Sequence, residues 1–176
     1  MTSVRAARAD DARAIAEVHV ASWRWAYRRI LTDAFLDGLS VDDRERAWAA
    51  WFAGQEPRGC VFVAADPTGA VVGFVNAGPS RDEGASPETG EVRAIYVLPE
   101  VQGTGVGRAL MEAADAGLRA AGFRRATLWV LEANDLGRRF YEKAGWAWDG
   151  ATSDHRFDCG NRPIVRYAAD LAGDVA

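Results

Sequence analysis

Residues 97–110, VLPEVQGTGVGRAL, alternate Gly103, Gly105 and Gly107 with Thr104 and Val106. A glycine in regular structure costs roughly 0.5–1 kcal/mol relative to alanine, so three in five residues mark a backbone with a special task. The stretch joins a run with strand character to one with helical periodicity. A helix start leaves its first amides without intrahelical partners and carries partial positive charge. Glycines clear away side chains and permit positive φ, so several amides can converge on one anion. The chemistry this implies is phosphate binding, with Arg108 adding charge in the first turn. Two other glycine-rich phosphate loops are excluded. A P-loop requires G-x-x-x-x-G-K-[ST], and no Lys-Ser or Lys-Thr follows these glycines. The dinucleotide fingerprint G-x-G-x-x-G fails in both registers, because its third position falls on Arg108 or on Leu110.

The same segment resembles the Q/R-x-x-G-x-G/A motif of the GNAT superfamily of acetyl-CoA-dependent N-acetyltransferases. Further on, EANDLGRRFYEKAGW at 132–146 resembles that family's second signature, an Asn followed by a helix carrying FYEK-x-G-[FW]. The H-x3-W-x3-Y stripe near the N-terminus and the order of strands are also similar, so the resemblance runs over nearly the whole chain. It implies that Gln102, Gly103, Thr104, Gly105, Val106, Gly107 and Arg108 hold the pyrophosphate of acetyl-CoA. It implies too that the strand at 91–97 lies beside the pantetheine arm, with Ile95, Tyr96 and Val97 as contacts and the Val97 N–H as oxyanion donor. Asn134 reads from the residues alone as a helix N-cap; the resemblance adds a hydrogen bond to the cofactor. It further implies direct transfer to an amine in a ternary complex, without acyl-enzyme or metal, and a chain that forms homodimers.

Acetyl transfer from a thioester needs a held cofactor, a deprotonated amine, donors for the oxyanion and a proton for the departing thiolate. Tyr141 is the candidate acid: a phenol with a pKa near 10 is protonated at neutral pH and can donate to a thiolate whose conjugate acid lies near 8.5. Glu91, opening the strand that lines the slot, is the candidate base; a solvated strand-end glutamate is the structural alternative. His19, Trp23 and Tyr27 recur every four residues on one helical stripe, either as packed core or as a wall of the acceptor pocket. Trp48 and Trp51 read as core. Asp154, His155 and Arg156 read as a loop before the last strand, within reach of an acceptor or simply surface. Cys60 and Cys159 read as inert.

The elements that must position these groups follow from periodicity. A short strand at Val4–Ala7 precedes a helix capped at Asp10 or Asp11, with Ile15, Val18, Ser22, Trp23 and Ala26 on one stripe. Helices are expected around Asp33–Leu39 and from Ser40, where Ser40 and Asp43 approximate a capping box. Strands follow at 60–65 and 70–77 around the turn Asp66-Pro67-Thr68-Gly69. The polar, Gly/Pro-rich 79–90 reads as a mobile loop. Strand 91–97, a helix from Gly105 to Gly122, strand 126–131 and a helix at 135–144 with Leu136 and Phe140 inward come next. WAWDG (146–150) and PIVRYAA (163–169) close the sheet. The expected fold is α/β (α+β), one domain over 1–176, with a mixed, mostly antiparallel sheet of six or seven strands. The resemblance adds a V-shaped splay between the strands at 91–97 and 126–131.

Composition sets the limits. The chain of 176 residues has 21 basic and 25 acidic side chains, a formal charge of −4, and 49% hydrophobic residues, as a soluble globular protein would. An acidic balance argues against nucleic acid and suits a cationic substrate. Two cysteines and two histidines, in no ligand spacing, argue against structural zinc and a disulfide framework. No apolar leader or membrane span is evident, and a cytoplasmic location is expected. The function expected is acetyl transfer from acetyl-CoA to an unidentified amine; the competing expectations are a non-catalytic acyl-CoA-binding module and a transferase of another acyl group.

Overall fold

The computed structural model describes residues 2–54 and 56–171. Seven segments, mostly rich in β-branched and apolar residues, pair into one sheet: β1 (Ser3–Ala6), β2 (Cys60–Ala65), β3 (Val71–Pro79), β4 (Thr89–Val97), β5 (Arg125–Leu131), β6 (Ala147–Phe157) and β7 (Gly160–Asp170). Their spatial order is β1-β2-β3-β4-β5-β7-β6. Every neighbouring pair is antiparallel except β4 with β5. Among the described residues, five α-helices accompany the sheet: α1 (Ala12–Ala26), α2 (Asp33–Asp37), α3 (Val41–Gly54), α4 (Val106–Ala120) and α5 (Asp135–Lys143).

Both faces of the sheet are covered, which is why β3 is buried almost throughout. On one face, Leu110, Met111, Ala114 and Leu118 of α4 pack with Val75, Val92, Leu128, Val165 and Tyr167. On the other, Ile15, Ala16 and Val18 of α1 and Trp48 of α3 pack with Val61, Val63 and Phe74. Each fully buried aliphatic side chain contributes about 1.5–3 kcal/mol. The close approach of α4 depends on Gly90, where a Cβ would lie 2.8 Å from a Leu118 methyl. A third cluster of Tyr27, Leu31, Leu36 and Leu131 closes the end of the sheet under α2.

The parallel pair decides the architecture. β4 and β5 are in register only at Thr89/Arg125, Gly90/Ala126 and Glu91/Thr127. Beyond Glu91, β4 stays on β3 as far as Val97 while β5 stays on β7 as far as Leu131. The two strands therefore part, and the expected splay is present. A bulge opposite Asn76 and Ala77 leaves Arg93 as the extra residue of β4 just where they separate.

Four expectations need correction. The closing strands are far longer than WAWDG and PIVRYAA: β6 and β7, of eleven residues each, form a hairpin, so Asp154, His155 and Arg156 lie within β6 rather than in a loop. Their polar side chains hid the strand because β6 is a sheet edge with most of its side chains in solvent. Asp11 holds the N-cap position of α1 without capping it; its carboxylate accepts from the Arg8 amide and from the Arg5 guanidinium. Leu136 does not face the core but is 55% exposed, whereas Phe140 packs inward. Residues 80–88 are tied down: Asp82 accepts from the Trp129 indole N–H at 2.8 Å and from the Arg166 guanidinium at 2.8 Å.

Candidate active site

The glycine loop stands at the start of α4, beyond the C-terminal end of β4. Gly103 has φ +75 and Gly105, the N-cap, has φ +92, a conformation that an L side chain resists. A Cβ at either position would meet nothing within 4 Å, so this surface is bare and open. Thr104 shapes the turn by donating its hydroxyl to the Val101 carbonyl at 2.6 Å. Among the described residues, the amides of Gly105, Val106, Gly107 and Arg108 have no acceptor, as a first helical turn requires. The individual residues divide the work. Val106 buries its side chain in the core and offers only its amide. Gly107 is needed for packing, since a Cβ there would come within 3.2 Å of the Phe140 ring. Arg108 is engaged by Glu112 at 2.8 Å, and Gln102 is partly buried beside the turn. A loop of bare amides at a helix start fits a diphosphate.

The splay supplies a second set of free groups. The Leu98 amide donates to the Val72 carbonyl at 2.9 Å, which makes Gly73/Val97 a pair whose main-chain groups point away from each other. Val97, and Ile95 two residues before it, therefore turn their amides and carbonyls towards β5, where pairing has ended. Tyr96 points its side chain to the opposite sheet face from Ile95 and Val97, joining the aromatic cluster of α1. The Val97 carbonyl accepts from the buried Ser22 hydroxyl at 3.0 Å, which ties α1 to this strand.

Tyr141, on α5, packs its ring 5.3 Å from Phe140 and 6.1 Å from Tyr167. Burial pushes its phenol well above the ordinary value, with Tyr96 adding to the effect. Asn134 caps α5 through a bond from the Gly137 amide at 3.0 Å. Glu91 is 7% exposed at the last position of β4 paired with β5, where its Oε2 accepts from the Arg81 amide at 3.0 Å.

His19 and Trp23 lie on α1, and Tyr27 is its C-cap; together with Tyr96 they form one aromatic wall. His19 stacks on Tyr96 at 5.2 Å and lies 5.3 Å from Trp23, which meets Tyr27 edge-on at 5.1 Å. Phe35 and Phe157 extend the wall, 6.4 and 6.2 Å from Trp23. Burial, helped by the nearby Arg44 charge, lowers the His19 pKa to about 3. The imidazole is therefore neutral at any physiological pH and is no base of useful strength. The Cys60 thiol is pushed up by burial, in keeping with inertness, and both cysteines are free. Among the described residues there is no cluster able to ligate a metal and no helix long and apolar enough to cross a membrane.

Three contributors were missed from sequence. Ser22 looked like a small member of a helical stripe, and Asp82 like one acid in a loose loop; both act through partners distant in sequence. Gly137 is required because a Cβ would fall 2.7 Å from the capping amide of Asn134; the spacing Asn-x-x-Gly was the available signal.

A sheet parted beside a bare helix start is the arrangement that the resemblance to acetyl-CoA-dependent acetyltransferases implies, and the comparisons agree. Residues 15–146 match the sequence profile of the Acetyltransferase (GNAT) family. The uncharacterized N-acetyltransferase YuaI of Bacillus subtilis is 40% identical over 134 residues, covering 76% of this chain and 74% of that protein. A mycothiol acetyltransferase of Thermobispora bispora is 40% identical over 109 residues, covering 60% of this chain but only 34% of its own length. Similar folds include yncA from Salmonella typhimurium with its cofactor acetyl-CoA (TM-score 0.75, 20% identity, 100% and 97% coverage). Another is PaiA N-acetyltransferase from Thermoplasma acidophilum in complex with coenzyme A (TM-score 0.72, 18% identity, 94% and 98% coverage). The chain belongs to the GNAT acetyltransferase family, and its activity is acetyl-CoA-dependent acyl transfer.

Proposed function

We propose that this chain transfers the acetyl group of acetyl-CoA to the amine of a small molecule or of a peptide or protein, by direct attack in a ternary complex. The observation that carries this reading is the set of free amides of Gly105, Val106, Gly107 and Arg108 beyond the splayed edge of β4, where the main chain of Ile95 and the Val97 N–H are unpaired. When bound, acetyl-CoA supplies the thioester carbonyl that the amine attacks. The first amides of α4 hold its diphosphate, with Gln102 and Arg108 at the rim and the free side-chain amide of Asn134 as a further donor. Ile95 and Val97 pair with the pantetheine arm, and Tyr96 forms the floor beneath it. The Val97 N–H, fixed by the strand, donates to the acyl oxygen as negative charge develops there. Tyr141, held protonated by burial, gives its proton to the sulfur.

Glu91 takes the proton of the amine through a chain of waters, since it stands six residues, roughly 20 Å, before Val97 along β4; Oε2 is committed to Arg81, which leaves Oε1 for this task. His19, Trp23 and Tyr27 wall the acceptor side. The protein works in the cytoplasm, which its free thiols support. It pairs as a homodimer, for which the exposed edge β6 with half-exposed Trp148 provides a surface.

The test joins calorimetry of acetyl-CoA binding with a thiol-release assay over an amine panel. Binding with amine-dependent thiol supports the reading, and binding without it supports an acyl-CoA sensor. Faster release from propionyl-CoA would move the acyl preference. Tyr141→Phe is expected to lower kcat about 100-fold or more; full kcat at every pH would remove the acid role. Glu91→Gln is expected to abolish the acidic limb of kcat/KM, and an unchanged limb would remove Glu91 from the mechanism.

A further inference from the structure

Among the described residues, six arginines are half-buried: Arg5, Arg44, Arg93, Arg138, Arg162 and Arg166. Five of them are satisfied. Arg5 meets Asp11, Arg93 meets Glu56, Arg138 meets the Tyr167 hydroxyl, Arg162 meets the Ile30 carbonyl and Arg166 meets Asp82. Arg44, on α3, has no carboxylate, carbonyl or hydroxyl partner among the described residues. Its guanidinium instead lies over the Trp23 ring, 5.7 Å from the centroid. A guanidinium without an anion can take one, and its planar fork suits a carboxylate.

The place of this cation gives it meaning. Trp23 and His19 carry the wall that continues through Tyr96 to the splayed half of β4. Neither ring nitrogen of His19 has a hydrogen-bond partner among the described residues. Such orphans in a buried site mark a place for further polar groups. Trp23, Phe35, Tyr96 and Phe157 offer the same site a continuous apolar surface.

Resting on the acetyl-transfer reading above, we propose that the acceptor is an α-amino acid or close relative: an amine whose neighbouring carboxylate pairs with Arg44 and whose apolar side chain lies on the Trp23/Phe35/Phe157 wall. Arg44 is then the specificity-determining residue. A peptide N-terminus, which has an amide in place of the carboxylate, is disfavoured.

The experiment uses matched ligands: L-phenylalanine, L-methionine and L-leucine, each against its amide and its decarboxylated amine. Thiol release and direct binding, followed by calorimetry and by tryptophan emission, are measured for wild type, Arg44→Gln and Arg44→Lys. At least one amino acid is expected to exceed its neutral partners by about 10- to 100-fold, as a charge-assisted hydrogen bond implies. That ratio is expected to fall to near one in Arg44→Gln and to recover in part in Arg44→Lys. Equal binding of charged and neutral members, or no binding of any amino acid at millimolar levels, overturns the proposal. Carboxylate-selective binding without thiol release keeps the Arg44 site and overturns the acetyl-transfer reading alone. Acid-selective turnover that persists in Arg44→Gln overturns the role of Arg44. The melting temperature of each variant, read alongside, separates misfolding from lost recognition, and Arg44→Lys carries the test where Arg44→Gln is unfolded.

Discussion

His19 and Asp115 should make stability depend on pH in opposite directions. Burial lowers the His19 pKa from 6.5 to about 3, so the unfolded chain binds the proton more tightly and stability falls as pH drops through 6.5 towards 3. Asp115, on α4, has its pKa raised by burial from 3.8 to about 6, so the folded state binds the proton more tightly. Its contribution therefore rises as pH falls through 6 towards 3.8. Between pH 7 and 5, linkage gives a loss of about 2 kcal/mol from His19 and a gain of about 1 kcal/mol from Asp115. Asp11 and Glu56, held below the ordinary carboxylate range by Arg5 and Arg93, titrate mainly beneath this window.

Urea unfolding at the two pH values would resolve the pair. Wild type should lose about 1 kcal/mol on acidification, whereas Asp115→Asn should lose about 2 kcal/mol. His19→Phe, which keeps a ring against Trp23 and Tyr96, should instead gain about 1 kcal/mol. Three parallel pH profiles would refute the reasoning, because they would show that neither group changes its proton affinity on folding.

Ser22→Ala removes the donor to the Val97 carbonyl and should cost about 1–3 kcal/mol of unfolding free energy. Acetyl-CoA affinity, measured by calorimetry, should change with it, because Val97 lies on the splayed edge; unchanged stability and affinity would mean that the hydroxyl is idle. Gly105→Ala should destabilise by about 1–2 kcal/mol through its positive φ alone, since a methyl there has open space. Its loss of acetyl-CoA binding should exceed that of Gly54→Ala, a control glycine whose surroundings are equally open. Asp82→Ala frees the Trp129 indole and leaves Arg166 to Asp149 alone, so residues 80–88 should become the first site of limited proteolysis and Trp129 emission should shift to the red.

Much of the fold was legible because it rests on local rules. The spacing of Val106, Leu110, Ala114 and Leu118 gave α4, Asp66 and Gly69 gave the β2–β3 turn, and Ser40 gave the start of α3, where its hydroxyl accepts from the Asp43 amide. The long β6–β7 hairpin was hidden, since SDHR at 153–156 has no apolar alternation on an exposed edge. Leu136 misled for the converse reason: helical spacing puts residues on a face but does not say what covers it.

The sequence by itself determined the glycine cradle, because positive φ and bare amides are properties of the residues and their order. It also determined Asn134 as a cap and the presence of a tyrosine on the following helix. Only tertiary structure decided that Tyr141 packs beside Tyr167, that Ser22 holds Val97, that Asp82 pins its loop, and that Arg44 stands over Trp23 without an anion. Those facts depend on where β4 and β5 part and on how α1 and α3 lie against the sheet, and no local periodicity encodes a contact between residues so far apart along the chain.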